Sequence, residues 1–152
     1  MQPSKMAGLE PTKPFEFAMI VVDATVLVDF FIGTEARQAA AKLLLSKDSE
    51  WISVSLWRYE FGNVLRTNVR SSQTNLDEAM ALEHLVDAET MVKETIEELD
   101  SAAIFRIAIK DGLTMYDASY VWAARMRVHK LRTRDTEILV QCPDVALPMP
   151  TP

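Results

Sequence analysis

Four carboxylates that lie far apart in the chain have residue types and positions that could form one reactive site. Each lies beside a predicted strand end or in a predicted helix, where an α/β fold brings distant segments together. The four residues are Asp23, Glu60, Asp117 and Asp135. Carboxylates clustered without histidine or cysteine suit a hard cation with oxygen ligands. The pattern therefore predicts a site for a divalent metal ion.

Three of these carboxylates also have a simpler interpretation as helix caps. Asp23, Asp117 and Asp135 each precede helical sequence. Aspartate is a preferred N-cap because its carboxylate accepts hydrogen bonds from the free N–H groups of the first helical turn. For any one of the three taken alone, capping is the favoured interpretation, so the metal site depends on all four acting together.

Glu60 does not fit the capping interpretation. Trp57, Phe61 and Val64 form an apolar stripe on the predicted helix, and Glu60 lies about 60° from the centre of that stripe. An ionised carboxylate that faces the interior needs a cation, an arginine or a strong hydrogen-bond donor, because burying it unpaired costs several kcal/mol. A buried pair between Glu60 and an arginine is the structural alternative to a metal site.

Hydrophobic periodicity places these carboxylates in an alternation of strands and helices. Buried strands are expected at residues 18–23 and 51–54. Helices are expected at residues 26–32, 36–45, 56–70, about 95–110 and 117–128, with Ser55 as the N-cap of the third and Thr74 or Asn75 capping a further one. The alternation predicts a parallel sheet with helices on both faces. Ligands bind such sheets at the carboxyl ends of the strands, where the strand order reverses.

Composition and proline placement predict one folded domain. The chain has 152 residues, of which 49% are hydrophobic and 25% charged, enough for one core. All seven prolines lie near the two ends, and proline interrupts helices and central strands. We therefore expect an N-terminal tail at residues 1–16, a domain at 17–145 and a C-terminal tail at 146–152.

The sequence also predicts an intracellular, cytoplasmic protein. Cys142 is the single cysteine, so no disulfide can form within the chain and a reducing compartment is the expected setting. No apolar run approaches the roughly 18 residues of a membrane span. We therefore expect no interaction with a membrane.

Four segments of the sequence resemble the successive motifs of PIN-domain ribonucleases, especially the VapC-type toxins of toxin-antitoxin pairs. The order and spacing of the motifs match from about residue 18 to about residue 140, with one proposed site carboxylate in each. The segments are MIVVDATVLV at 19–28, LWRYEFGNVL at 56–65, LTMYDASY at 113–120 and LRTRDTEIL at 131–139.

The resemblance implies a fold, an activity and a set of site residues. The fold would be a PIN-like three-layer α/β/α sandwich with a central, mostly parallel sheet. The activity would be a Mg²⁺- or Mn²⁺-dependent endoribonuclease, with Asp23, Glu60, Asp117 and Asp135 as the catalytic and metal-binding acids. Thr25, Asn63 and Thr133 match the polar positions that accompany this site and would hold the carboxylates or a bound water. The family also implies a homodimer and a cognate antitoxin that blocks the acidic pocket.

Charge distribution bears on whether the protein can approach RNA. The net charge of −6 argues against general attraction to phosphate. Residues 75–100, however, carry a net charge of −8, whereas residues 101–134 carry +5. The basic segment contains our candidate RNA contacts, which are Arg125, Arg127, Arg132 and Arg134. Arg132 and Arg134 flank Thr133 in the last motif, at strand positions where the family more often has apolar residues.

Two other functions compete with a ribonuclease. A catalytically silent PIN-like module could bind RNA or protein, although a pure binder has no reason to keep four mutually repelling carboxylates. An aspartyl phosphoryl-transfer protein is the second, because Asp23 lies at the end of the first strand. A phosphatase of that kind would need a second aspartate two residues later, where Thr25 lies.

Overall fold

Five strands form one sheet in the computed structural model, which describes residues 19–152. All of the strand pairs are parallel, and the strand order is β3-β2-β1-β4-β5. The strands are β1 (Met19–Val22), β2 (Glu50–Val54), β3 (Val92–Ile96), β4 (Leu131–Arg132) and β5 (Ala146–Leu147). The predicted N-terminal tail at residues 1–16 lies outside the described residues.

Seven helices connect these strands within the described part of the chain. They are α1 (Ala24–Ile32), α2 (Glu35–Lys47), α3 (Trp57–Arg70), α4 (Glu78–Met91), α5 (Ser101–Asp111), α6 (Met115–Arg127) and α7 (Thr136–Gln141). Among residues 19–152, no helix has both the length and the apolar character required of a membrane span.

The strand order reverses at β1. The chain moves outward from β1 to β2 and β3, and then returns to the other side of β1 with β4 and β5. Strand β1 therefore pairs with both β2 and β4, with Val22 opposite Arg132 in the second pairing. The carboxyl ends of β1 and β4 are neighbours, and this is the position at which parallel sheets bind ligands.

Alternating side chains of the strands build two hydrophobic cores, one on each face of the sheet. Val21 and Ile52 belong to the core beneath α5, α6 and α7, whereas Val22 and Trp51 belong to the core beneath α1 to α4. A strand buried on both faces reads as a continuous apolar run, which explains the sequence of β1. The arrangement confirms the predicted three-layer α/β/α sandwich.

Strand β3 was missed by the sequence analysis. The helix predicted from about residue 95 begins only at Ser101, because residues 92–96 form β3 and pair with β2. Asp100 then caps α5 by accepting a hydrogen bond from the Ala103 N–H at 3.0 Å. The prediction of a helix at 95–100 was therefore wrong, since pairing with β2 decides the conformation of this segment.

Two predicted helix caps were also wrong. The backbone N–H of Ser55 donates to the Ile96 carbonyl at 3.0 Å, so Ser55 continues the hydrogen bonding between β2 and β3. The N-cap of α3 is Leu56, which provides no side-chain hydrogen bond. The next helix, α4, is capped by Asp77 rather than by Thr74 or Asn75.

The sheet extends into the segment predicted as a C-terminal tail. Strand β5 begins at Ala146, beyond the expected domain boundary at residue 145, and pairs with β4. Ala146 is buried in the core. The two-residue strand leaves little periodicity in the sequence, and the nearby prolines suggest an irregular end.

The buried face of α2 should be essential for stability. Leu44 is fully buried in the core beneath α1 to α4, so we expect Leu44→Ala to lower the free energy of unfolding by about 2–5 kcal/mol. Leu82 on α4 is 55% exposed, and Leu82→Ala should change it by less than about 0.5 kcal/mol. Urea denaturation measures both values, and equal losses would contradict this assignment of the core.

Candidate active site

Asp23 lies at the carboxyl end of β1, at the reversal of strand order. Its carboxylate is buried and caps α1 by accepting a hydrogen bond from the Thr25 N–H at 3.0 Å. The hydroxyls of Thr25 and Thr133 also donate to the two carboxylate oxygens. The capping interpretation is therefore correct for Asp23, and the same carboxylate faces the predicted site.

Thr133 connects Asp23 to the last carboxylate of the set. Its buried hydroxyl follows β4 directly, donates to Asp23 and accepts a hydrogen bond from the Asp135 N–H at 2.9 Å. The pairing of β1 with β4 brings the two segments together. Asp135 itself caps α7, accepting from the N–H groups of Glu137 at 2.9 Å and Ile138 at 3.1 Å.

Glu60 is half-buried on α3 and is bound by Tyr120, which the sequence analysis did not include among the site residues. The hydroxyl of Tyr120 donates to Glu60 Oε1 at 2.8 Å. Burial raises the pKa of Tyr120 far above its usual value, with the charge of Glu60 as a further cause, so the phenol stays protonated and remains a donor. Tyr120 lies three residues after Asp117, on the same helix face, and this spacing was the available signal.

Asp117 occupies the first turn of α6 but does not cap the helix. The cap is Thr114, whose hydroxyl accepts from the Asp117 N–H at 3.1 Å. The prediction that Asp117 opens the helix, and with it the capping interpretation, was therefore wrong. Because Thr114 satisfies the helix end, the half-buried Asp117 carboxylate is left for another role.

Each of the four carboxylates is repelled by the charge of a neighbouring one in the site. Burial raises the pKa of Asp23 to about 6, against the lowering effect of the Thr133 and Thr25 hydrogen bonds, and Glu60 raises it further. The pKa of Glu60 is raised by burial and by Asp117. The pKa of Asp117 is raised by burial and by Asp135. Each carboxylate therefore lies within electrostatic reach of the next.

An additional acid adjoins this set. Glu137, in the first turn of α7, also raises the pKa of Asp117 by repulsion. It is exposed and lies two residues after Asp135. Acids are common in the first turn of a helix because they interact favourably with its N-terminus, so the sequence contained no separate signal for Glu137.

The chemistry of this donor set fits a hard divalent cation. All of its donors are oxygens, and none of the ion pairs among residues 19–152 involves Asp23, Glu60, Asp117 or Asp135. No arginine or lysine in this part of the chain is paired with them to compensate their negative charge. Within the described residues, no three acidic, histidine or cysteine side chains already have a metal-holding arrangement, so an ion would have to draw the carboxylates together.

Asn63, the remaining polar candidate, makes no side-chain hydrogen bond to the carboxylates within the described residues. Asn63 lies three residues after Glu60 on α3 and is exposed. Its backbone carbonyl accepts a hydrogen bond from Thr67, which is an interaction within the helix. The structure therefore places Asn63 near the site along the helix, without joining its side chain to the carboxylates.

The four candidate arginines separate into two groups. Arg125 forms ion pairs with Asp111 and Asp144, and Arg127 forms one with Glu94. Both lie in the last turns of α6, about 12–15 Å along the helix from Asp117. The structure does not bring these two arginines to the carboxylate site.

Of the other two arginines, Arg132 is the last residue of β4 and Arg134 lies two residues after it. Arg132 donates to the Pro148 carbonyl at 2.6 Å, on the side of β5. Arg134 lies beside the site, where its backbone N–H donates to the Thr25 hydroxyl at 3.1 Å and its guanidinium pairs with Asp29. Asp29 is a buried acid that the sequence analysis missed. Its position in α1 between apolar Val28 and Phe30 was the available signal.

Comparison with known structures identifies the fold as that of the PIN domain. The crystal structure of PAE2754 from Pyrobaculum aerophilum matches with a TM-score of 0.68 and 27% sequence identity, covering 88% of this chain and 90% of that one. The structure of VapC20 from Mycobacterium tuberculosis, a toxin that cleaves the sarcin-ricin loop, matches with a TM-score of 0.60 and 14% identity. That match covers 80% of this chain and 93% of VapC20.

Sequence comparison then identifies the family within this fold. Ribonuclease VapC3 of Pyrobaculum aerophilum is 32% identical over 132 residues, which cover 85% of this chain and 98% of VapC3. Exonuclease VapC9 of the same organism is 35% identical over 83 residues, covering 55% of this chain and 60% of VapC9. No protein-family model matches the chain. The chain belongs to the VapC family of PIN-domain ribonucleases.

Burial of Asp23 should make the stability of the metal-free protein depend on pH. The folded carboxyl has a pKa of about 6, above the ordinary value of 3.8, so the folded state binds more protons between these values. The contribution of Asp23 to the free energy of unfolding must therefore fall as the pH rises from about 4 to about 6. A shift of this size corresponds to roughly 3 kcal/mol.

Urea denaturation between pH 4 and 7 in the presence of a chelator would measure this effect. We expect the stability of Asp23→Asn relative to wild type to increase with pH across that window. Asp87→Asn, which removes an exposed acid on α4, should retain the wild-type pH dependence. Parallel wild-type and Asp23→Asn curves would show that burial of the carboxylate does not influence folding.

Proposed function

We propose that this protein is a divalent-metal-dependent endoribonuclease that hydrolyses phosphodiester bonds in RNA and acts as the toxin of a toxin-antitoxin pair. One observation carries the proposal: four mutually repelling carboxylates surround the sheet's point of strand reversal in a chain of the VapC family. A site of this kind has unsatisfied negative charge, and the hydrolysis of a phosphodiester uses cations held by carboxylates.

The residues of the chain have separable roles in this proposal. Asp23, Glu60, Asp117 and Asp135 would hold Mg²⁺ or Mn²⁺. When bound, such an ion acidifies water and neutralises charge on the phosphate. The hydroxyls of Thr25 and Thr133 orient the Asp23 carboxylate. Glu60, whose pKa is raised by burial, is suited to accept a proton from the attacking water, and Tyr120 holds it in place.

A catalytically silent binding module is the alternative function. Such a module would need surface complementarity to RNA or protein, but it would gain nothing from burying Asp23 with a raised pKa. A buried charge of this kind lowers the stability of the fold, so its presence favours a role in catalysis. The alternative predicts RNA binding without cleavage.

The proposed partners are a cognate antitoxin protein and a second copy of this chain, acting in the cytoplasm. Apolar side chains that face solvent support the existence of protein partners. They include Leu82 and Val86 on α4, and Phe105 and Ile109 on α5. A groove of about 260 Å³ between α3 and α4, lined by Leu65, Val69, Ala81, Leu82 and Leu85 among others, adds a concave apolar surface. Such surfaces commonly mark protein interfaces.

Cleavage of RNA should depend on Asp117. We expect Asp117→Asn to reduce the rate of cleavage of a mixed pool of structured RNAs by at least about 100-fold. Removing one carboxylate weakens both the hold on the cation and the electrostatic stabilisation of the reacting phosphate. The assay compares Mn²⁺, Mg²⁺ and chelator, and circular RNA in the pool reveals endonucleolytic cutting, since it has no ends for an exonuclease.

The matched control is Asp87→Asn, which makes the same chemical change on the exposed face of α4 and should keep full activity. Cleavage by Asp117→Asn at the wild-type rate would remove Asp117 from the site. Binding of RNA with no cutting by the wild-type protein in either metal would favour the silent module.

Divalent cations should stabilise the folded protein. An ion that binds only the native state at about ten times its Kd adds about 1.4 kcal/mol, which raises the Tm of a domain of this size by roughly 3–5 °C. We expect millimolar Mn²⁺ or Mg²⁺ to raise the Tm of wild type, and to raise the Tm of Asp117→Asn much less. Potassium chloride at equal ionic strength is the control, and an equal shift with it would indicate screening rather than binding.

A further inference from the structure

A buried ion pair lies directly beside the carboxylate site. Asp29 on α1 is only 1% exposed, and its carboxylate oxygens lie 2.9 Å and 3.0 Å from Nη2 and Nε of Arg134. Both of these nitrogens are on one side of the guanidinium. An arginine has five N–H donors, so those on Nη1 are not used by Asp29. About one third of the Arg134 side chain remains exposed.

The same arginine forms one wall of a pocket that includes part of the candidate active site. The cavity has a volume of about 480 Å³ and is lined by Ala24, Thr25, Val28, Glu60, Val64 and Arg134. We call it the Arg134 pocket. Its apolar walls come from α1 and α3, and two charged groups of opposite sign are also exposed in it. Thr25 connects the pocket to Asp23 through its hydroxyl.

The position of Arg134 could offset the repulsion between the acidic site and the phosphates of RNA. Four acids repel the phosphates of RNA, and Arg125 and Arg127 are paired at the other end of α6. Arg134 is the candidate arginine that reaches the site. Its backbone and its guanidinium are both held, by Thr25 and Asp29 respectively, so its position is fixed before any ligand arrives.

A purely structural role is a weak explanation for the pair. Replacing a buried ion pair with apolar residues is often neutral or stabilising, and the flanking residues of α1 are apolar already. The arrangement does, however, place the planar guanidinium of Arg134 at the edge of a pocket, with N–H donors that Asp29 does not use. Such groups recognise phosphate well.

We propose that the Arg134 pocket binds the RNA nucleotide adjacent to the scissile phosphate, with Arg134 donating to its phosphate and with Val28 and Val64 contacting its base. This inference rests on the proposed ribonuclease function and identifies where that function holds its substrate. Asp29 acts as a positioning residue that orients Arg134. Ligand pockets of this size commonly combine apolar walls with a few convergent polar groups.

The test measures binding of a fluorescent, single-stranded 12-nucleotide RNA pool to protein carrying Asp117→Asn, so that the RNA is not cut. Fluorescence anisotropy gives the Kd over a series of salt concentrations. Only Arg134→Ala also carries Asp29→Asn, which avoids leaving a buried charge unpaired when the arginine is removed, and Asp29→Asn alone is measured beside it to give the effect of the positioning residue. The comparison is between the Asp117→Asn parent, Arg134→Ala, Arg134→Lys and Arg106→Ala, the last removing an exposed arginine on α5.

We expect Arg134→Ala to weaken RNA binding by about fivefold to tenfold. The slope of log K against log salt concentration should fall by about 0.7, the value for one phosphate contact on a single strand. Arg134→Lys should restore the slope because it keeps the charge, and Arg106→Ala should change neither quantity. In the active protein, Val64→Trp, which fills the pocket, should raise the KM for RNA while leaving the salt slope unchanged.

The inference is overturned if Arg134→Ala and Arg106→Ala give the same Kd and the same slope as the parent. This outcome differs from a failure of the proposed function. If wild type cuts RNA but removal of Arg134 has no effect, only the pocket assignment is wrong. If wild type cuts no RNA, the ribonuclease proposal fails, and the salt slope still decides whether Arg134 contacts phosphate.

Discussion

The burial of a charged aspartate at the reversal of the sheet is the constraint on which the rest of the structure depends. Asp23 must lose its water to occupy the end of β1, and this burial is the main reason why its pKa is raised to about 6. Two threonine hydroxyls compensate part of this cost. One of them, Thr133, is available only because β4 pairs beside β1. The hydrogen bonds that stabilise the Asp23 carboxylate therefore depend on the order of the strands in the sheet.

Glu60 and Asp117 extend this arrangement across the layers of the fold. Tyr120 belongs to the core beneath α5 to α7, yet its hydroxyl crosses to Glu60 on α3 in the opposite layer. The same face of α6 carries Asp117 towards Asp135. Arg134 is paired with Asp29, and none of the four carboxylates forms an ion pair within the described residues, so they keep their mutual repulsion. A cation is the natural means of relieving it.

Elements with strong local signals were predicted well from the sequence, and elements stabilised by distant partners were not. Strands β1 and β2 are short segments rich in apolar and β-branched residues, and α1, α2, α3 and α6 show clear helical periodicity, so each was found within a few residues. Strand β3 was mistaken for part of a helix, because its conformation depends on pairing with β2 about 40 residues earlier. Strand β5 has two residues and depends in the same way on β4.

The sequence by itself determined the family, the alternation of strands and helices, and the set of oxygen donors, because all of these are recorded in residue types and short spacings. It also indicated the caps formed by Asp23 and Asp135, whose hydrogen bonds reach only two or three residues along the chain. The tertiary structure decided which arginine lies at the site and what holds it. Arg134 meets Asp29 across 105 residues, and such a contact exists only after the sheet has brought the end of β4 against α1.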